Sequence, residues 1–194
     1  MLRYAITLFF LILLTVILQQ FAPAFISLYN ARVFLLLAVF LCIAVTVPLP
    51  VMFLYALICG FLWDAQCAIS ASKLDASVYA DSIQNIRFGS SILLFGLAGA
   101  LMNGFQPIFR QGKWYLSALL TGISTFLYCL AEYSLLDFLR GSFTINRGVI
   151  LQISYTSLFS LIVAPLVFAL LFFIARISHY QIVVTQKRTF RRFE

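Results

Sequence analysis

Continuous apolar runs recur along the whole chain, and they limit what it can fold into more than any other feature. The block ITLFFLILLTVIL (residues 6–18) shows no alternation of polar and apolar residues. A transmembrane strand alternates with period two, whereas a spanning helix needs about 20 mostly apolar residues to cross about 30 Å of hydrocarbon. Because backbone polar groups in lipid must be satisfied within the structure, these runs predict helices.

The charge content excludes an ordinary water-soluble domain. Only 10% of the 194 residues are charged and 63% are hydrophobic, whereas soluble domains carry about a quarter charged residues. The sequence therefore predicts an all-α, polytopic membrane bundle. We expect one transmembrane domain over residues 1–176 and a basic cytoplasmic tail over residues 177–194.

Six spans are predicted, over residues 4–25, 32–49, 51–65, 88–109, 115–138 and 149–176. The first ends where Gln19 and Gln20 break the apolar pattern, and Pro48 and Pro50 separate the second from the third. The third is short for a crossing. It is either less tilted than its neighbours or forms a re-entrant pair with the second. The polar segment that follows it, residues 64–87, is expected to be a long loop.

Lysine and arginine placement predicts the orientation. With six spans, eight of the 13 basic residues fall on one side, and the other five are Arg32, Lys73, Arg87, Arg140 and Arg147. Because cytoplasmic segments carry the excess of positive charge, both termini are expected in the cytoplasm.

Glu132 is an ionisable residue within the fifth span. Such a residue costs about 2.5–3.5 kcal/mol to insert at the bilayer centre, so it faces protein or water. Ala118, Gly122, Thr125 and Cys129 share its helical face. Glu132 is either a proton or ligand site or a hydrogen-bonded packing contact, and we favour packing.

A similar stripe lies on the fourth span and comprises Gly96, Gly99, Asn103 and Gln106. Small residues allow helices to approach closely, and an asparagine in hydrocarbon needs a hydrogen-bond partner. The stripes of the fourth and fifth spans are therefore expected to contact each other. A ligand pocket built from the same residues is the alternative.

The last residues, QKRTFRRFE, form a basic tail with interleaved phenylalanines, whose cations are Lys187, Arg188, Arg191 and Arg192. Such a tail either binds anionic lipid headgroups or is a plain positive-inside anchor that sets topology, and we favour the plain anchor. The remaining positive charge is distributed among loops that set topology, so no nucleic-acid partner is expected.

The sequence contains no catalytic or metal-binding motif. The four cysteines lack CxxC spacing, His179 is the single histidine, and no GxSxG, HExxH or Walker loop occurs. We expect no enzyme activity, no metal and no cofactor.

Two segments carry a family resemblance. They are CGFLWD (residues 59–64) and RFGSSILLFGLAGALMNG (residues 87–104). Together with the chain length and the six spans, they resemble the rod shape-determining protein MreD family. In that family a Gly-x-x-x-Asp element closes a hairpin of the bundle, and Gly60 and Asp64 occupy it here. The loop after Asp64 departs from the family, which commonly has another glycine-rich turn there.

The resemblance implies a non-enzymatic scaffold in the bacterial inner membrane. Its implied partners are MreC and, through it, MreB filaments and the RodA/penicillin-binding synthase pair that elongates the cell wall. It also implies an architecture akin to the S-component of energy-coupling factor transporters.

That second likeness gives a rival function, the binding of a vitamin-like small molecule. In this interpretation Asn103, Gln106, Glu132 and the loop from Asp64 to Arg87 would line one pocket. For Asp64 itself we expect a structural role. It would accept hydrogen bonds from backbone amides of the following loop, or pair with Arg87.

Overall fold

The structure, a computed structural model of the chain, describes residues 2–25, 29, 31–72, 89–110, 114–140 and 147–178. The described part is helical, as the apolar runs predict, apart from one ladder of two-residue antiparallel strands. In chain order the elements are α1 (Leu2–Phe21), β1 (Ala24–Phe25), β2 (Ala31–Arg32), α2 (Leu35–Thr46), α3 (Leu49–Ser72), α4 (Ser90–Gly104), α5 (Gln106–Arg110), α6 (Trp114–Arg140) and α7 (Arg147–Ile177).

Four of these helices, α1, α3, α6 and α7, are long and apolar enough to cross a membrane. The helices α2 and α4 have 12 and 15 residues. At about 1.5 Å per residue they are roughly 18 and 22 Å long, which is shorter than the hydrocarbon core. Helix length therefore supports four crossings, and the predicted total of six depends on these two short helices.

The first three helices alternate in direction. The Tyr55 hydroxyl donates to the Ala5 carbonyl at 2.8 Å, and the Gln66 amide donates to the Val16 carbonyl at 3.2 Å. The partners in both pairs are 50 residues apart, so moving along α3 moves the contact equally far in the same direction along α1. The two helices therefore run parallel. The α2 helix runs the opposite way, since its last residue, Thr46, accepts from Tyr4 of α1 at 3.2 Å.

The remaining long helices continue this alternation. The start of α4 lies beside Asp64 and its end beside Val47. The reverse holds for α6, in which Thr121 lies near Cys42 and Glu132 near Trp63. We call the two ends of the bundle the terminal end, marked by Tyr4, Thr46 and Asn103, and the hairpin end, marked by Gln19, Asp64 and Glu132.

The centre of the bundle is α2, which is buried at every residue after Leu35. It packs against α1, α3, α4, α6 and α7. Its side chains, such as Phe40, which contacts the Phe95 ring edge-to-face at 5.3 Å, are apolar all round. A helix that is apolar on every face is typical of such an enclosed position.

Two glycines allow α4 to approach its neighbours closely. A Cβ atom on Gly60 of α3 would lie 2.5 Å from the Ile92 Cα atom. A Cβ atom on Gly99 of α4 would lie 2.6 Å from the Met52 sulfur and 2.7 Å from the Phe40 ring. A larger residue at Gly60 would therefore force the α3 and α4 backbones apart.

The candidate membrane span of α3, Leu49–Cys67, lies close to the predicted third span over residues 51–65. The helix itself continues to Ser72, so the start of the expected loop, residues 64–72, is helical instead. Asp64 consequently lies about two turns inside the helix. The segment after it contains Ala65, Ala68 and Ala71, and alanine is the best helix former. Helical propensity therefore extends α3 beyond the apolar run that marks the span.

We predict that Gly60→Ala destabilises the protein, because the new methyl group collides with backbone atoms of α4. Overpacking of this kind costs about 1–3 kcal/mol. The measurement is the thermal unfolding midpoint in detergent, followed by the reaction of a thiol-specific dye with Cys42 and Cys59, which are buried in the folded chain.

The matched control is Gly104→Ala, since no atom lies within 4 Å of a Cβ built at Gly104. It should leave the midpoint unchanged or raise it slightly. Equal midpoints for the two variants would contradict the close approach of α3 and α4.

Candidate functional site

At the terminal end, two amide side chains bind the last carbonyls of α2. Asn103 Nδ2 donates to the carbonyls of Ala44 at 2.7 Å and Val47 at 3.0 Å, and Gln106 Nε2 donates to Val47 at 3.2 Å. The last four carbonyls of a helix have no partner within it. Pro48 ends α2 here, so these donors from α4 and α5 supply the missing partners.

At the hairpin end, Gln19 of α1 supplies the corresponding cap. Its Oε1 atom accepts from the backbone amides of Leu35 at 2.7 Å and Leu36 at 3.3 Å, and its Nε2 atom donates to the Val33 carbonyl at 2.9 Å. In the sequence, Gln19 stands out only as an interruption of the apolar pattern. The signal for its capping role was its position: Gln19 lies toward the end of the first predicted span, close to the expected start of the second.

Asp64, which is 7% exposed, lies between α3 and the start of α4. Its Oδ2 atom accepts from the Gly89 backbone amide at 2.6 Å. Gly89 has a φ of +102° and immediately precedes α4, a conformation that glycine adopts at little cost. A carboxylate is favourable at a helix N-terminus because the helix dipole is positive there. The geometry is therefore that of a capped hairpin between α3 and α4.

Glu132 of α6 meets the residue that precedes Asp64. Trp63 Nε1 donates to Glu132 Oε1 at 3.4 Å. The Trp63 ring lies 4.5 Å from the Phe34 ring, which in turn contacts Tyr128 edge-to-face at 5.6 Å. The Asp64 carboxylate is also within electrostatic range of Glu132.

The expected contact between the glycine stripes of the fourth and fifth spans is not formed. Gly99 lies against α2 and α3 as described above, Gly96 is nearest to Phe53 of α3, and Gly122 lies against Leu161 of α7. The α4 and α6 helices do pack antiparallel, but through larger side chains, such as Phe95 against Tyr128 at 5.2 Å. Because α2 occupies the centre, the glycine faces turn toward other neighbours.

The candidate polar residues do not converge on one pocket. Asn103 and Gln106 lie at the terminal end, whereas Asp64 and Glu132 lie at the hairpin end. The 14 residue steps of α4 from residue 89 to residue 103 correspond to about 21 Å. The other candidates, Arg87, Lys187, Arg188, Arg191 and Arg192, lie outside the described residues.

The described side chains do not form a metal site. Across residues 2–25, 29, 31–72, 89–110, 114–140 and 147–178, no three His, Cys, Asp or Glu side chains group so that they could hold a metal ion.

No family model, curated protein or solved structure matches this chain.

We predict that Gln19→Ala lowers the unfolding midpoint, because it leaves buried amides at the start of α2 without an acceptor. An unsatisfied buried amide costs about 1–3 kcal/mol. The same dye-based unfolding assay measures it. The neighbouring Gln20 is exposed, so Gln20→Ala is a matched control, and a similar loss in both variants would contradict the capping role.

We predict that Asp64→Ala destabilises the α3–α4 hairpin and reduces accumulation in the membrane, since a hydrogen bond to a charged group contributes about 1.5–3 kcal/mol. Asp64→Asn keeps an acceptor oxygen but loses the charge, so it should give an intermediate midpoint. Wild-type midpoints and membrane levels in both variants would show that the Gly89 contact contributes nothing.

Proposed function

We propose that this chain is a non-enzymatic scaffold of the bacterial inner membrane that acts in the cell-wall elongation machinery, in the manner of the MreD family. The observation that carries the proposal is how the chain uses its polar side chains. Asn103, Gln106, Gln19 and Asp64 all bond to backbone groups of neighbouring helices. They hold helices in place and do not face a common cavity.

The resemblance to that family rests on Gly60 and Asp64, and their contacts support it. Both residues lie on one face of α3, four residues apart. Gly60 admits Ile92 and Asp64 accepts from Gly89, so both act on the first turn of α4. This is the hairpin-closing role that the resemblance implies for a Gly-x-x-x-Asp element.

We further propose that α2 and α4 cross the membrane with the four longer helices, which gives six crossings. Their alternating direction supports this topology. Because α2 is enclosed by protein and capped at both ends by side chains, it does not need to reach both lipid surfaces. An even number of crossings places both termini on the same side of the membrane. The distribution of lysine and arginine favours the cytoplasmic side.

The vitamin-binding alternative, an S-component of an energy-coupling factor transporter, receives less support. A small-molecule site needs several polar groups that converge on one cavity. The residues proposed for that site are divided between the two ends of the bundle, and Asn103 and Gln106 already bind α2. We therefore keep the scaffold as the function that the geometry favours.

The partners under this proposal are an MreC-like protein and, through it, MreB filaments and the RodA/penicillin-binding transpeptidase pair. The outward faces of α1, α4 and α7 are apolar, with exposed residues such as Phe10, Leu97, Leu166 and Phe173. Such faces suit both lipid and the transmembrane segments of other proteins, since both are apolar.

The test is purification of the tagged chain in a gentle detergent, followed by mass spectrometry of the proteins that co-purify. We expect an MreC-like protein and the wall-synthesis pair to be enriched over an unrelated membrane protein of similar length carrying the same tag. Enrichment of a coupling subunit with its ATPases would overturn the scaffold in favour of the transporter.

The Gly60→Ala variant refines this test. If the rigid α3–α4 hairpin presents the partner surface, recovery of the partner should fall in Gly60→Ala and remain normal in Gly104→Ala at matched protein levels.

A further inference from the structure

Glu132 has few hydrogen-bond partners for a carboxylate. Trp63 Nε1 is its donor, at 3.4 Å, which is long for an N–H···O hydrogen bond. An ionised carboxylate can accept about four hydrogen bonds. Asp64, by contrast, has the short bond from Gly89 and the start of α4 beside it. Glu132 is therefore the less satisfied of the two acids.

The Tyr128 hydroxyl is the second under-satisfied group in the same place. Tyr128 is 3% exposed, and among the described residues its Oη atom makes no hydrogen bond of normal geometry, although the Ser91 side chain of α4 is a polar neighbour. It lies one helical turn before Glu132 on α6 and within electrostatic range of both Glu132 and Asp64. A buried hydroxyl without a partner is unfavourable, because it has lost its hydrogen bonds to water. This cost disappears if a donor group enters the cluster.

Aromatic rings border these acceptors. The half-buried Trp63 stacks obliquely on Phe34, and Phe34 contacts Tyr128. Ring faces attract organic cations, and the attraction is strongest for tryptophan. We call Phe34, Trp63, Tyr128 and Glu132 the hairpin-end cluster. It combines a carboxylate, a free hydroxyl acceptor and ring faces, and these are the groups that bind ammonium and guanidinium.

In the part of the chain that the structure describes, no arginine is among the hydrogen-bond or electrostatic partners of Glu132. Arg3 and Arg176 belong to the terminal end of the bundle. Arg32 and Arg147 are exposed on the surface. These four side chains therefore do not supply a cationic partner for Glu132.

We propose that the hairpin-end cluster binds one organic cation, an ammonium or guanidinium group. Glu132 is its counter-ion, Tyr128 Oη accepts one of its hydrogen bonds, and Trp63 packs against it. Two sources carry this chemistry, a free small amine or guanidine and a basic side chain of a partner protein. The proposal stands independently of the scaffold function.

Trp63 provides the readout, because its indole contacts Glu132 directly. The chain has two tryptophans, so the Trp114→Phe variant leaves Trp63 as the single emitter. The full-length protein in detergent is titrated with methylammonium and with methylguanidinium at constant pH and ionic strength. We expect a saturable change in Trp63 emission that sodium chloride does not produce.

Two further substitutions test whether Glu132 and Tyr128 contact the bound cation. Glu132→Gln in the same background should weaken the apparent affinity about tenfold or more, because it removes a charged hydrogen-bond partner. Tyr128→Phe should weaken it less. The unfolding midpoint of each variant is measured alongside, and a cation-dependent rise in the midpoint of the parent protein gives an independent measure of binding.

The proposal is overturned if neither probe gives a saturable change, or if a folded Glu132→Gln variant binds as the parent does. It is also overturned if acidification changes Trp63 emission while the organic cations do not, since Glu132 then takes up a proton but binds no organic cation. The proposal also fails if the probes bind the Arg87→Gln variant but not the parent protein. In that case Arg87 of the chain itself is the cation beside Glu132 in the parent.

A final comparison separates the two sources. Saturation by free methylguanidinium at low concentration favours a small molecule. A partner's side chain is favoured if a hydrophobic peptide that contains arginine saturates the signal and the same peptide without lysine or arginine does not. Either result supports the cation site.

Discussion

The structure depends on satisfying the backbone ends of a helix that is buried along its whole length. In water the first amides and last carbonyls of α2 would be hydrated, but within a membrane bundle each must find a protein partner. Gln19 supplies the acceptor at one end, and Asn103 and Gln106 supply donors at the other. These bonds fix the positions of α1 and α4 along α2, and the other helices pack around that unit.

A short central helix explains why the polar residues are placed as they are. A 12-residue helix ends within the protein, so both of its ends need amide side chains from neighbouring helices. The start of α4 meets the same requirement differently, because the amide of Gly89, the residue just before α4, donates to the Asp64 carboxylate of α3. Polar residues that look like scattered exceptions in the sequence thus occur where helices end inside the bundle.

The sequence was informative about the helices and less so about their neighbours. The apolar runs predicted each long helix, and the ends of α6 and α7 differ from the prediction by one or two residues. The end of α3 was missed because a polar, alanine-rich segment continues a helix without being apolar. The partners of Gly96 and Gly122 were missed because apolar residues face lipid and protein alike. Nothing in a single sequence marks α2 as the central helix.

Each end of the bundle has well-bonded polar groups and others that are not; at the terminal end, the buried Ser117 hydroxyl near the start of α6 has no partner among the described residues. At the terminal end Asn103 donates two hydrogen bonds, so that cluster has a complete structural explanation. At the hairpin end Asp64 is well bonded, whereas Glu132 and the Tyr128 hydroxyl are not. Helix packing alone would be served equally well by a leucine and a phenylalanine at these two positions, at a lower desolvation cost. Helix packing alone therefore does not explain why Glu132 and Tyr128 lie together beside Trp63, where α3 and α6 meet at the hairpin end.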